Sequence, residues 1–157
     1  MAGKKTGVYP VYENQFQVNT GTSATSEDGT SITGGTFSNI ADMESFSVSF
    51  DNGVEEWNPF DQAGWTRRLM TSKSITISVS GKRNVTDTGN DYIATKAFKN
   101  GRDAEADFQW TFPDGTKVVF LGAVINITEL GSGDSTNVGP LAFDVMSNGK
   151  PIVVPAV

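Results

Sequence analysis

Two stretches of the chain alternate strictly between apolar and hydroxyl side chains. In SFSVSF (45–50), Phe46, Val48 and Phe50 fall on one side and Ser45, Ser47 and Ser49 on the other. SITISVS (74–80) repeats the arrangement, with Ile75, Ile77 and Val79 opposite Ser74, Thr76, Ser78 and Ser80. Successive side chains of a strand point to opposite faces, so each run predicts a strand with one buried and one hydroxylated face. EADFQWTF (105–112) places Phe108, Trp110 and Phe112 together, PDG (113–115) signals a turn, and TKVVFLGAVINITEL (116–130) reads as a long strand bent at Gly122. Val8 to Val18 reads as a first extended segment and PLAFDVMS (140–147) as a late one, with the Asn-Gly of SNGK (147–150) as a hairpin signal before PIVV. TGNDYIATKAFKNG (88–101) alone has helical spacing: Asn90 or Asp91 is the expected N-cap, Gly101 the terminator, and Ile93 with Ala97 and Ala94 with Phe98 form an apolar stripe. The expected fold is a mainly β, antiparallel β-sandwich or open barrel with one flanking α-helix at about 90–99, in a single domain over 1–157. Its expected core is Phe46, Val48, Phe50, Ile75, Ile77, Val79, Phe108, Trp110 and Phe112.

Composition narrows the chemistry. The 157 residues include no cysteine and no histidine, which removes disulfides, thiolate nucleophiles, zinc sites and the Ser-His and Cys-His systems. A formal net charge of −6 disfavours ordinary binding to nucleic acid, which needs Lys and Arg against phosphates. The opening MAGKKTGVYP lacks an apolar core of signal-peptide type, and no apolar run approaches the ~20 residues that cross a bilayer, so the expectation is a protein made in the cytoplasm with no membrane association. GKR (81–83) lacks the glycine and hydroxyl flanks of a phosphate loop, and the acidic residues Glu27, Asp28 and Asp134 lack calcium-loop spacing. The tripeptides starting at Asn84 and Asn126 fit glycosylation acceptors by chance. Glu55, Glu56 and Asp61 beside Trp57 and Trp65 are a carboxylate set of glycosidase type, but no further catalytic group accompanies them. No catalytic residue, metal or cofactor is expected.

Between the two alternating strands lies NGVEEWNPFDQAGWTRRLMTSK, read as a long loop over 52–73. Loops of that length are functional or disordered, and this one is too aromatic for disorder. Trp57, Phe60, Trp65, Leu69 and Met70 need a surface, and Arg67 and Arg68 need carboxylates. Two readings stay open: the loop folds back to roof its own core, or it forms an interface, where Trp, Arg, Met and Phe concentrate. The polar segment 19–35 has no assigned role.

The succession EEWNPFDQAGWTRRLMTSKSITISVSGKR, GNDYIATKAF, the W-x-F-PDGT-x-VVFLGAV hairpin and a glycine-rich loop before LAFDVMSNGKP resembles the major tail proteins, or tail tube proteins, of long-tailed bacteriophages. The resemblance runs from about Ser38 onward. It implies a structural virion protein and not an enzyme. It implies hexameric rings, stacked into a tube whose inner strands close into a barrel around passing DNA. Its partners would be further copies of itself, a tape-measure protein, and terminator and tip proteins. It also implies that the 52–73 loop (Trp57, Phe60, Trp65, Arg67, Arg68, Leu69, Met70) reaches the next ring. The face of Ser45, Ser47, Ser49, Ser74, Thr76, Ser78 and Ser80 is the candidate lumen wall. It is small, neutral and hydroxylated, and DNA would pass it without specific binding. The alternatives are the tube of a contractile injection machine, which shares the fold, and a carbohydrate-binding β-sandwich using Trp57 and Trp65.

Overall fold

A computed structural model describes residues 7–156. After a 3-10 turn at Val11–Glu13 come β1 (Gln15–Asn19), β2 (Phe37–Asn39), β3 (Met43–Trp57) and β4 (Arg67–Lys82). The helix α1 (Thr88–Thr95) leads through 3-10 turns at Lys96–Phe98 and Gly101–Ala104 to β5 (Glu105–Thr111), β6 (Lys117–Leu130), β7 (Pro140–Met146) and β8 (Ile152–Val154). The strands make one antiparallel sheet in the order β2-β1-β5-β6-β7-β4-β3, with β8 also paired to β6. The sheet curls on itself. Phe16 of β1 and Phe46 of the opposite edge strand β3 touch with ring centroids 4.7 Å apart, and Phe46 also meets Trp110 of β5 at 5.7 Å. The result is the open barrel expected from the alternation.

The bend in β6 is where the sequence puts it. Gly122 has φ +64°, a backbone conformation that a side chain disfavours. Opposite the bend, β5 bulges between Ala106 and Phe108, and the Asp107 carboxylate accepts the Gly122 N–H at 2.9 Å. The same carboxylate accepts from Ala24 N and Asn19 Nδ2, so this buried acid is satisfied on several sides. Asn19 in turn pins the polar segment. Its side chain accepts from Gly21 N and Thr36 N and donates to the Thr22 carbonyl, closing the neck of a loop that carries a Thr25–Thr33 bridge. At the tip, the Thr30 N–H and the Ser31 hydroxyl bond Asp28 and hold its carboxyl below the usual aspartate value.

The core lies inside the curl. Ile77, Val79 and Phe108 are buried, while Phe46, Val48, Ile75, Trp110 and Phe112 are partly buried against it. Phe50 is the exception at 59% exposure. It pairs with Ile75, one step beyond Thr76, the last β4 residue paired to β7, so the wall that would cover it has ended. Residues the alternation did not single out complete the core: Val18, Ile93, Val119, Phe120, Leu141, Phe143 and Val145.

Three local expectations are corrected. The helix begins earlier than 90, capped by Asp87, whose side chain accepts the Asn90 N–H at 3.0 Å and also the Ala41 N–H at 3.1 Å. Asn90 is therefore not the cap but a buried connector, donating to the Ala41 and Lys82 carbonyls and accepting from Asn84 N. The helix ends at Thr95 and tightens to a 3-10 turn, which swings Phe98 off the stripe to 88% exposure. At the other end of the chain, the Asn-Gly segment is not a hairpin. β7 pairs with 124–130 of β6 and β8 with 117–119, both antiparallel, so the chain steps sideways and continues along the same edge. Finally, the first extended segment is a strand only over Gln15–Asn19. Replacing Asp87 with Ala is expected to cost about 1–2 kcal/mol, since a cap and the link to Ala41 go together; chemical denaturation measures it.

Candidate functional site: a hydroxylated sheet face and a projecting arm

Strands β3 and β4 carry the face singled out by sequence, and β7 and β6 continue the sheet beside it. β3 and β4 pair Ser45 with Ser80, Ser47 with Ser78, Ser49 with Thr76, and Asp51 with Ser74. Cross-strand partners share a face, so all seven hydroxyl residues stand side by side. Ser45 and Ser80 hydroxyls are 2.9 Å apart, and Ser78 donates to Asp144 of β7 at 2.7 Å. Next to Asp144 in register is Asn126 of β6. The seven hydroxyl residues, Asp144 and Asn126 include no cation. Ser45, Ser47, Ser49, Ser74, Ser78 and Ser80 are exposed and Thr76 is half-buried.

This sheet ends in open edges on both sides. β3 pairs only with β4, leaving its outer edge without a strand partner among the described residues. β6 is paired to β5 only up to Val124, so from Ile125 to Leu130 its side opposite β7 also lacks a strand partner among the described residues.

The stretch 52–73 is mostly not a loop. β3 and β4 continue through it as a two-stranded ribbon, pairing Val54 with Met70, Glu55 with Leu69, Glu56 with Arg68 and Trp57 with Arg67; only 58–66 connects them. The alternation is hidden by a bulge between Gly53 and Val54, where β4 carries the extra residue Thr71. β4 runs past its last β7 partner by about 30 Å, at ~3.3 Å per residue. The ribbon beyond that point is an arm.

The arm does not roof the core. Trp57 is 41% exposed, Trp65 78%, Leu69 60%, Met70 48%, and Phe60 is fully in solvent. One ion pair, Arg68 Nε to Glu56 Oε1 at 2.6 Å, straps the ribbon across its strands, and the bond raises the Arg68 guanidinium above its ordinary value. Arg67 lies over the Trp57 ring at 5.9 Å and has no carboxylate partner among the described residues. Of the glycosidase-type set, Glu56 is thus engaged, and one face of Trp57 is covered by Arg67, where a sugar would stack.

No protein-family model matches the chain, and no curated protein does. Its fold, however, is that of chains in tail and injection particles. A chain from the virion of a native gene transfer agent particle aligns over 94% of this chain and 100% of its own, with TM-score 0.67 and 17% identity. A chain from the tail of an empty particle of that kind, refined helically with C6 symmetry, aligns over 92% and 97%, with TM-score 0.62 and 20% identity. A chain of the sheath-tube complex of the extracellular contractile injection system PVC, in its extended state, aligns over 94% and 91%, with TM-score 0.59 and 16% identity.

Proposed function

We propose that the chain is the tail tube subunit of a virion, a structural protein that assembles into stacked hexameric rings and provides a conduit for DNA. The observation that carries this reading is the four-stranded sheet β6-β7-β4-β3, hydroxylated over β3 and β4, with an edge on each side that lacks a strand partner among the described residues. Its strands alternate in direction, so the open edge of β3 in one copy and that of β6 in the next meet antiparallel, and a ring joined this way is an unbroken barrel without edges. Six copies, the number suggested by the resemblance and by the C6 particle of like fold, give about 24 strands. At ~4.8 Å between strands and ~40° tilt, such a barrel is about 48 Å across between backbones, wide enough for a duplex. With the core on its outer side, the barrel turns the serine face inward.

That wall suits passage. Each Lys or Arg held against a phosphate adds salt-dependent affinity through counterion release; the seven hydroxyl positions offer none, and Lys82, next after Ser80 on that side of β4, is ion-paired to Glu44 at 2.8 Å. Asp144 and Asp51 add mild repulsion that keeps a polyanion hydrated and moving. The arm, leaving the barrel along the strand direction, makes the contact between rings through Trp57, Phe60, Trp65, Arg67, Arg68, Leu69 and Met70. The tube of a contractile injection particle fits the same geometry, since such a particle also supplies a neighbour of this fold.

The test is the double variant Ser47→Lys, Thr76→Lys. Tubes of normal appearance are expected by electron microscopy, because no subunit contact changes, together with DNA retained in them at low salt and slowed ejection from particles carrying them. If the variant abolishes rings outright, the face is an interface. If tubes form and DNA leaves normally, the face looks outward and the lumen assignment is wrong.

A further inference from the structure

Two groups of exposed apolar side chains lie at opposite ends of the β3–β4 ribbon. At the far end is the arm with its tryptophans. At the near end, Val11 and Tyr12 of the N-terminal 3-10 turn are 64% and 85% exposed. They form one bank of a groove whose other bank is the start of β3, Met43, Glu44 and Ser45, with Phe16, Ile40 and Phe46 also lining it. Within one copy the groove and the arm tip are separated by the length of β3, about 45 Å at ~3.3 Å per residue. The arm cannot reach its own groove. It can reach that of a copy displaced along the strand direction.

From this the geometry points to the groove between the N-terminal turn and the base of β3 as the seat of the arm of a second copy. The inference rests on the tube reading above and names the surface the arm meets. Two features commit it to another copy of this chain. The first is charge: Arg67 lacks a carboxylate partner, and Asp42, on the groove wall, has no cation partner among the described residues and is bonded only by the Asn84 amide. Each supplies what the other lacks, in a contact shielded from water by aromatic neighbours. The second is polarity. An arm at one end and its acceptor at the other is a heterologous contact, which repeats without closing and so generates a stack of open length. Among polar neighbours, the groove presents Tyr12, Phe16, Phe46 and Met43, surfaces against which indole and phenyl anchors pack.

The chain has no cysteine, so introduced thiols report cleanly. Asp61→Cys sits at the arm tip beside Phe60, Gln15→Cys on the groove, and Val153→Cys on β8 near the base of the arm; all three residues are exposed and none is an aromatic anchor. Singly substituted proteins are mixed in pairs, assembled and treated with a short bis-maleimide. The expected result is a cross-linked dimer from the Asp61→Cys and Gln15→Cys pair and none from Asp61→Cys with Val153→Cys. Alongside it, Tyr12→Ala should leave the melting temperature unchanged while tubes shorten to single rings or short stacks. If the native chain makes tubes but the arm cross-links to β8 or to neither position, or if Tyr12→Ala tubes keep their length, the groove is not the acceptor and the tube reading stands. If the native chain makes neither rings nor tubes, the tube reading falls and takes this inference with it.

Discussion

Phe108→Ala is expected to destabilise the fold by about 3–5 kcal/mol, the range for truncating a buried aromatic residue where the cavity cannot collapse. Phe108 has no exposure, and its ring contacts three others, Phe16 at 6.1 Å, Phe120 at 6.4 Å and Phe143 at 6.4 Å. Those rings come from β1 and β6, the two neighbours of β5, and from β7 beyond, so the void opens inside the curl of the sheet. Trp110→Ala removes a half-buried ring whose indole N–H donates to Asn14 at 3.0 Å, and should cost less. Denaturant unfolding of both variants orders them. A Phe108→Ala midpoint close to the native one would mean that the curl is held elsewhere, by the helix and the edge strands.

The opposite behaviour is expected of the arm. Trp57→Ala and Trp65→Ala remove side chains that pack little in the single copy, so melting should shift little, while self-association should be lost or severely weakened. Aromatic anchors at the centre of an interface are worth ~2 kcal/mol or more each on truncation. The effect is multiplied in a ring, where every copy carries the same lesion. Sedimentation beside thermal melting separates the two quantities. Loss of melting temperature in step with loss of assembly would place the tryptophans in the subunit's own stability and would remove the arm from the contact between rings.

What the sequence disclosed here followed the physics of its periods. Serine against isoleucine over 74–80 is a repeat of two, and the pairing of Ser78 with Ser47 realises it. Gly122 could be read as a bend because glycine in a long strand has few other uses. The arm escaped because one extra residue at Thr71 shifts the alternation by a half-period, and because cross-strand pairs such as Trp57–Arg67 are invisible along the chain. The Asn-Gly segment misled for a related reason. Its turn chemistry is genuine, but whether the chain reverses or sidesteps depends on β6 being long enough to pair with both β7 and β8. Asp107 and Asn19, which organise the polar segment 19–35, gave no signal at all, since their partners lie 83 and 88 residues apart along the chain or in backbone N–H groups.

On the proposed tube reading, the open edge of β3 also has a bearing on when assembly would begin. That strand carries Glu44, Asp51, Glu55 and Glu56 and no Lys or Arg. Two copies approaching edge to edge through β3 would bring the carboxylates at the strand's ends together with no cation on either edge strand itself, which is unfavourable although Glu44 and Glu56 each have a partner on β4. A symmetric dimer of this kind would be a dead end, because it consumes the growing edge of both partners. On that reading, the carboxylates would act as a kinetic filter: such subunits would resist premature pairing through β3, and growth would wait for an encounter with the unlike edge of β6.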